Sequence, residues 1–371
     1  MNVKVDTEKK LLYVNHLLTY NNTSNDTLYN LILNDWNNAF SSKNSALAKR
    51  FSDEFSRVFH LAKEEDRGNT SIKAIVDSTA KNISWERPNN RVDVIKIALN
   101  TPIHPCSKQT ITLLYVVKIP NEKYTKYGFD SEGNITLKHW FLNPSRYENK
   151  QFVIQSNENL DDIPNAFTNF EIELVINENY TVSSNLNEIK QQLNKSKKHY
   201  VLNGTNKNEV TLSLELKNSF VSYKNEIIEV SCGLDDSKVN EVEKAIIIDK
   251  ITRFTASKLG NSLTSKILVT QEDYQRQPFY GLNQLPGFLS PFPNEFMFEL
   301  KFLKTYLNNY LKENLQLNPR KEYWIYDGIQ VFLMMKYIEE NYPDLKMTGN
   351  LANMKILKSY HFINLPFNQQ Y

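Results

Sequence analysis

A chain of 371 residues, 40% hydrophobic and 12% aromatic with only 10 Gly and 13 Pro, exceeds one ordinary core; it argues for two globular domains and excludes a disordered or fibrous protein. Its 44 Lys and Arg are interspersed among 42 Asp and Glu, giving a formal charge of +2 and no basic stripe, so nucleic acid is not an expected partner. No apolar run reaches the roughly eighteen residues that cross a bilayer, MNVKVDTEKKLLYV is not a secretory leader, and the widely spaced Cys106 and Cys232 indicate neither a disulfide framework nor a thiolate metal site. The compartment is not legible from these features.

From Val3 to about Leu216 the sequence reads as short strands. LLYVNHLLTY, VIKIALN, TITLLYVVKI, FEIELVI and VTLSLEL are β-rich, partly alternating and separated by Asn, Pro, Gly and Lys clusters, which predicts a β-sandwich. One early segment departs from this: SSKNSALAKRFSDEFSRVFHLA places Ala46, Phe51, Phe55 and Val58 at helical spacing behind Ser and Asn caps. The polar stretch from Lys195 to Glu209 reads as a loop.

Near Ser219 the pattern becomes mixed. FVSYKNEIIEVSC reads as a strand, Asp235, Asp236 and Ser237 as caps of a helix running through Val239, Val242, Ile246 and Ile251 to Gly260, and SKILVTQ as another strand. Asn294 then opens a helix to about Leu315, with Phe296, Leu300, Leu303, Leu307, Tyr310 and Leu311 on one apolar face, and a last helix is predicted from Asp327 to Asn341, stopped by Pro343. The expected division is 1–217, an all-β sandwich, and 218–371, an α/β domain, so the fold class is α+β multidomain.

The second half presents the loop GLNQLPG (Gly281 to Gly287), a long helix, and WIYDG (Trp324 to Gly328) leading into a further helix. This order, behind a β-rich domain carrying EEDRG, LKHWFLNPSRY and NFEIELVINENYTVSSN, resembles the gluzincin zinc aminopeptidases, the membrane alanyl aminopeptidase-like metallopeptidases. The resemblance implies an aminopeptidase N-like sandwich followed by a partial thermolysin-like domain, truncated at its C-terminus before the family's transition-state Tyr and helical domain. In that family H-E-x-x-H places two His on one helix face to share a Zn2+, the intervening Glu deprotonates the bound water, and a Glu in a W-x-x-E-G context completes the site.

Carried over by that spacing, the zinc-ligand positions hold Lys304, Asn308 and Asp327, the position of the catalytic Glu holds Thr305, and the substrate loop maps onto Gly281, Asn283, Gln284 and Leu285, with Gln284 replacing a charged Glu. An ammonium has donors only and repels a divalent cation, so this set is not expected to assemble a zinc site. The expected cofactor is therefore none, the expected role a peptide- or protein-binding scaffold that has lost catalysis, and a Lys304–Asp327 ion pair a possible substitute for the metal crosslink. The plainer reading of Lys304, Asn308 and Asp327 is a solvated helix stripe and cap.

His16, His60, His104, His139 and His199 are scattered, with no H-x-x-x-H pair, and His139 beside Trp140 reads as structural. Glu64, Glu65, Asp66 and Arg146 read as surface salt bridges, and Asp161 and Asp162 as a turn. Two rival functions stay open: an active zinc-dependent aminopeptidase with an atypical metal site, and a β-sandwich adhesion or carbohydrate-binding module, whose sign would be an exposed aromatic platform.

Overall fold

In the computed structural model, which describes residues 1–158, 164–279 and 292–346, the strand patterns of the first half become sheets. The chain divides into two units, Met1–Asn218 with Gln316–Lys321, and Ser219–Leu315 with Glu322–Tyr371. The fold is mixed α+β.

Strict alternation builds the first unit. In Leu11–Asn21 the side chains of Leu12, Val14, His16 and Leu18 are buried while Tyr13, Asn15, Leu17 and Thr19 face out, the period of a half-buried strand. It pairs without a break from Leu11↔Lys118 to Asn21↔Lys108, at the heart of a seven-stranded sheet. The sheet order is Asn187–Asn194, Lys197–Lys207, Thr168–Asn177, Asn2–Asp6, Leu11–Asn21, Lys108–Lys118, Asn69–Asp77. Two four-stranded sheets share its core, so that Leu12 and Val117 pack in one cluster with Leu31 and Ile97 of the first and Ile135 and Leu214 of the second. Gly128, at φ 130°, lets the chain pass the 120–121 backbone: a Cβ there would lie 2.0 Å from the Pro120 carbonyl oxygen.

Two expectations fail here. The predicted loop from Lys195 to Glu209 is instead the strand Lys197–Lys207, bonded on both sides, because Tyr200, Leu202 and Gly204 alternate inward and its polar residues need only face water. The early helix, α1 (Ala46–Asp53), buries Leu47 and Ala48 and ends before Phe55 and Val58, which are exposed rather than part of a core face.

The second unit is built on a three-stranded sheet, Val221–Lys224, Glu229–Cys232 and Lys266–Val269. FVSYKNEIIEVSC is thus a hairpin rather than one strand: the Asn225 side-chain oxygen accepts from the amides of Ile227 and Ile228 and turns the chain. Helix α2 (Glu241–Leu259) crosses between the parallel partners Glu229–Cys232 and Lys266–Val269. Its cap is Asn240 in a capping box with Glu243, not Asp235 to Ser237, and Gly260 closes it. It buries Ile247, Ile248, Ile251 and Phe254, while Val242 and Ile246 are exposed.

A short helix absent from the sequence reading, α3 (Gln271–Arg276), is capped by Thr270. Helix α4 (Asn294–Asn314) follows the predicted bounds closely, and all six of its predicted apolar residues are buried. Helix α5 (Pro319–Asn341) is broken at Glu322 (φ −122°, ψ 17°): its first turn, where the Asn318 side chain accepts from the Arg320 amide, belongs to the first unit, and the part in the second unit still begins before Asp327. Trp324 therefore lies within a helix rather than in a turn. Cys106 and Cys232 are both free thiols.

Candidate functional site

Helix α4 carries Lys304, Thr305 and Asn308, and α5 carries Asp327. The structure brings Lys304 and Asp327 close enough to interact electrostatically but forms no direct ion pair between them. Burial pushes the Lys304 ammonium below its ordinary range, and the Asp327 carboxylate opposes this. A direct link between the helices is a hydrogen bond: the Gln330 amide, one turn beyond Asp327, donates to the Lys304 carbonyl at 2.8 Å. The expected salt-bridge crosslink is thus replaced by a side chain-to-backbone hydrogen bond.

Thr305 is buried, and its hydroxyl donates to the Lys301 carbonyl at 2.9 Å. A neutral hydroxyl is too weak a base to take a proton from water. Asn308 is partly buried and Asp327 exposed. Next to Asn308, Asn309 donates to the Leu268 carbonyl at 2.8 Å and to Asp273 Oδ2 at 3.1 Å, fastening α4 to the strand and to α3.

The donor set that Lys304, Asn308 and Asp327 offer is one ammonium, one neutral amide and one carboxylate. Zinc is held by thiolate, neutral imidazole or carboxylate, so one of the three groups is suited and one is repulsive. These residues do not fit the metal that the family would place there. Among the described residues, no group of three or more His, Cys, Asp or Glu is placed to hold a metal ion. Gly281, Asn283, Gln284 and Leu285 lie outside the described residues, as do His361, Asp161 and Asp162.

A buried carboxylate that the sequence reading missed lies farther along α4. Glu299 is 3% exposed, accepts from the Lys250 ammonium of α2 at 2.9 Å, and takes hydrogen bonds from the Tyr337 and Tyr342 hydroxyls. The ammonium also sits 5.1 Å and 5.0 Å from the centroids of those two rings. Burial and the adjacent carboxylate push both phenols well above their ordinary range. The visible signal was a Glu beside Leu300 on the apolar face of a helix, where an acid needs partners.

On the far side of α4 from Lys304 and Asn308, the rings of Phe298, Phe302, Tyr306 and Tyr310 succeed one another at 6.3, 5.5 and 5.9 Å. All four are buried, so this column is core rather than a ligand groove. In the first unit, a cavity of about 560 Å3 is lined by Ser45, Lys49, Arg50, Arg91, Asp93 and Glu158 among others. Its polar groups are largely engaged: Asp93 accepts from the Asn157 amide at 2.6 Å, Arg91 donates to the Ile154 carbonyl, and Arg50 to the Glu158 carbonyl.

His139, Arg146 and Asp66 are each engaged in local contacts. His139 Nε2 lies 3.3 Å from Glu209 Oε2 and its ring 5.4 Å from that of Trp36; Arg146 pairs with Glu148, and Asp66 with Lys123.

The chain matches no protein-family profile and no curated protein. Its fold is that of the M1 zinc metallopeptidases. The crystal structure of an M1 zinc metallopeptidase from Deinococcus radiodurans superposes with a TM-score of 0.54 at 11% identity, over 91% of this chain and 69% of that one. A mutant of the Deinococcus radiodurans enzyme bound to a Tyr-Ser-Ala substrate gives 0.55 at 12% identity, over 92% and 70%. A two-domain M1 zinc metallopeptidase mutant bound to L-tryptophan gives 0.54 at 12%, over 91% and 69%.

Proposed function

We propose that this chain is an M1-metallopeptidase-fold protein that has lost its zinc and its catalysis and acts as a peptide- or protein-binding scaffold. The observation that carries the reading is the α4–α5 donor set: Lys304 and Asn308 where the family places two imidazoles, Asp327 in place of the third ligand, and a buried Thr305 whose hydroxyl is already committed. Fold similarity alone leaves activity open, because function resides in the site. The peptide as ligand class is supported by the Tyr-Ser-Ala substrate bound in one structure of similar fold.

Gln284 in place of an acid removes the charge that would select a free α-ammonium, so binding should tolerate a blocked N-terminus. Titration calorimetry with a tripeptide and its N-acetylated form, alongside turnover of aminoacyl chromogenic amides, tests this. Comparable affinity for both peptides with no turnover is expected. Turnover of the amides, or binding abolished by acetylation, contradicts it.

A further inference from the structure

The cavity of the first unit involves none of the α4–α5 residues, and three pieces of chain build it: one face of α1, the turn Pro88–Asn90 with the residues after it, and the backbone around Ser156. Ser45, Ala46, Lys49, Arg50 and Asp53 recur at i, i+1, i+4, i+5 and i+8, so a single stripe of α1 forms the wall. Its volume of about 560 Å3 is that of an ordinary small-molecule site.

The floor of the cavity is already fixed. Asp93, 3% exposed, accepts from the Asn157 amide at 2.6 Å, Arg91 donates to the Ile154 carbonyl at 2.9 Å, and the Ser45 hydroxyl accepts from the Ala48 amide at 3.1 Å. These groups are held in place without a ligand, which lowers the ordering cost of binding one.

The rim is chemically open. Arg50 pairs with Glu54 at 2.7 Å, one turn apart on α1. Lys49 and Asp53 have the same spacing one position earlier, yet among the described residues their side chains form neither an ion pair nor a hydrogen bond, and both line the cavity. The side-chain amides of Asn44 and Asn90, also on its lining, are likewise without a partner among the described residues. Asn90 is placed by defined backbone: Asn89 and Asn90 take left-handed positions at φ 53° and 57°, which Asn tolerates, and the Arg91 amide closes the turn on the Pro88 carbonyl at 3.0 Å.

This lining selects against two kinds of ligand. Among the described residues no aromatic ring lines the cavity and only Ala46 and Val92 are apolar, so an apolar molecule would strip water from polar groups and offer nothing in return. Lys49, Arg50 and Arg91 are matched by Asp53, Asp93 and Glu158, so a net charge meets as much repulsion as attraction. A neutral molecule dense in hydroxyls meets neither objection. Each hydroxyl both donates and accepts, and the open rim supplies both halves: the Lys49 ammonium donates, the Asp53 carboxylate accepts, and the two amides do either.

We infer that this cavity binds a neutral, hydroxyl-rich ligand of mono- to disaccharide size. Saturation-transfer NMR of the full chain with maltose, lactose and cellobiose, against acetate and glycine as anionic and zwitterionic probes, tests it, with Asp53→Ala and Asn90→Gly, singly and together, as variants. Asp53 is exposed and Gly suits the left-handed backbone at 90, so the variants should melt with the parent, which separates lost binding from lost folding. Expected are transfer to at least one of the sugars, none to acetate or glycine, and an affinity weakened roughly tenfold or more in the double variant. No transfer to any of the three sugars, transfer to acetate or glycine as strong as to the sugars, or undiminished affinity in the folded double variant would each overturn the inference.

Discussion

His16 and Glu299 show how single polar groups are accommodated in apolar cores, by opposite means. His16 is buried between Tyr115 and Phe141, its Nδ1 lies 3.3 Å from the Tyr115 hydroxyl, and burial drives its pKa down from 6.5 to about 3. Below pH 6.5 the unfolded chain takes up a proton that the folded chain refuses, so this contribution to stability is full above 6.5 and is lost progressively as pH falls toward 3. The loss should reach about 3 kcal/mol near pH 4.5, and His16→Phe should flatten that limb in urea titrations at a series of pH values. An unchanged acid limb in the variant would show that His16 does not carry it. Glu299 stays inside by collecting partners instead. Glu299→Ala should destabilise the second unit by about 3–5 kcal/mol in chemical denaturation, because it leaves Lys250, Tyr337 and Tyr342 without their acceptor, while Glu299→Gln, which keeps an acceptor, should cost less.

At the scale of elements, helices α2 and α4 show what patterning reveals and what it hides. The apolar face of α4 was legible because Phe296, Leu300, Leu303 and Leu307 recur at helical spacing over about three turns. On α2 a run of three isoleucines leaves the phase ambiguous, and tertiary packing selects Ile247 and Ile248 over Ile246. The expected caps of α2 were Asp235, Asp236 and Ser237, and the reciprocal bonds of Asn240 with Glu243 show that the cap is Asn240, a residue passed over in the sequence. Asn240→Ala should therefore cost about 1 kcal/mol, and Asp236→Ala less, in thermal or urea unfolding. The strand Lys197–Lys207 was hidden for a different reason: its polar residues face water, so its apolar alternation is sparse even though it pairs with both Thr168–Asn177 and the neighbouring Asn187–Asn194. Among the helix contacts, Phe302→Ala on the buried ring column should be the most damaging, at about 3–5 kcal/mol, whereas Val242→Ser on the exposed side of α2 should be within about 0.5 kcal/mol of neutral.

At the scale of the whole molecule, the order of a β-rich half followed by an α/β half was legible from the change in hydrophobic period near Ser219, and M1 zinc metallopeptidase structures share that fold at 11–12% identity. The placing of Lys304, Asn308 and Asp327 at zinc-ligand positions is drawn from spacing relative to WIYDG alone. What the sequence could not supply was how α4 and α5 are linked: the Gln330 bond to the Lys304 carbonyl and the Glu299 cluster depend on side chains far apart in the chain. The reading of the site rests on Lys304, Asn308 and Asp327 being the zinc-ligand positions. Its most direct test is zinc stoichiometry by mass spectrometry, after dialysis against zinc, of the parent chain and of a Lys304→His, Asn308→His, Asp327→Glu variant. The account predicts no retained zinc in the parent and one zinc per chain in the variant; stoichiometric zinc in the parent, or none in a folded variant, would contradict it.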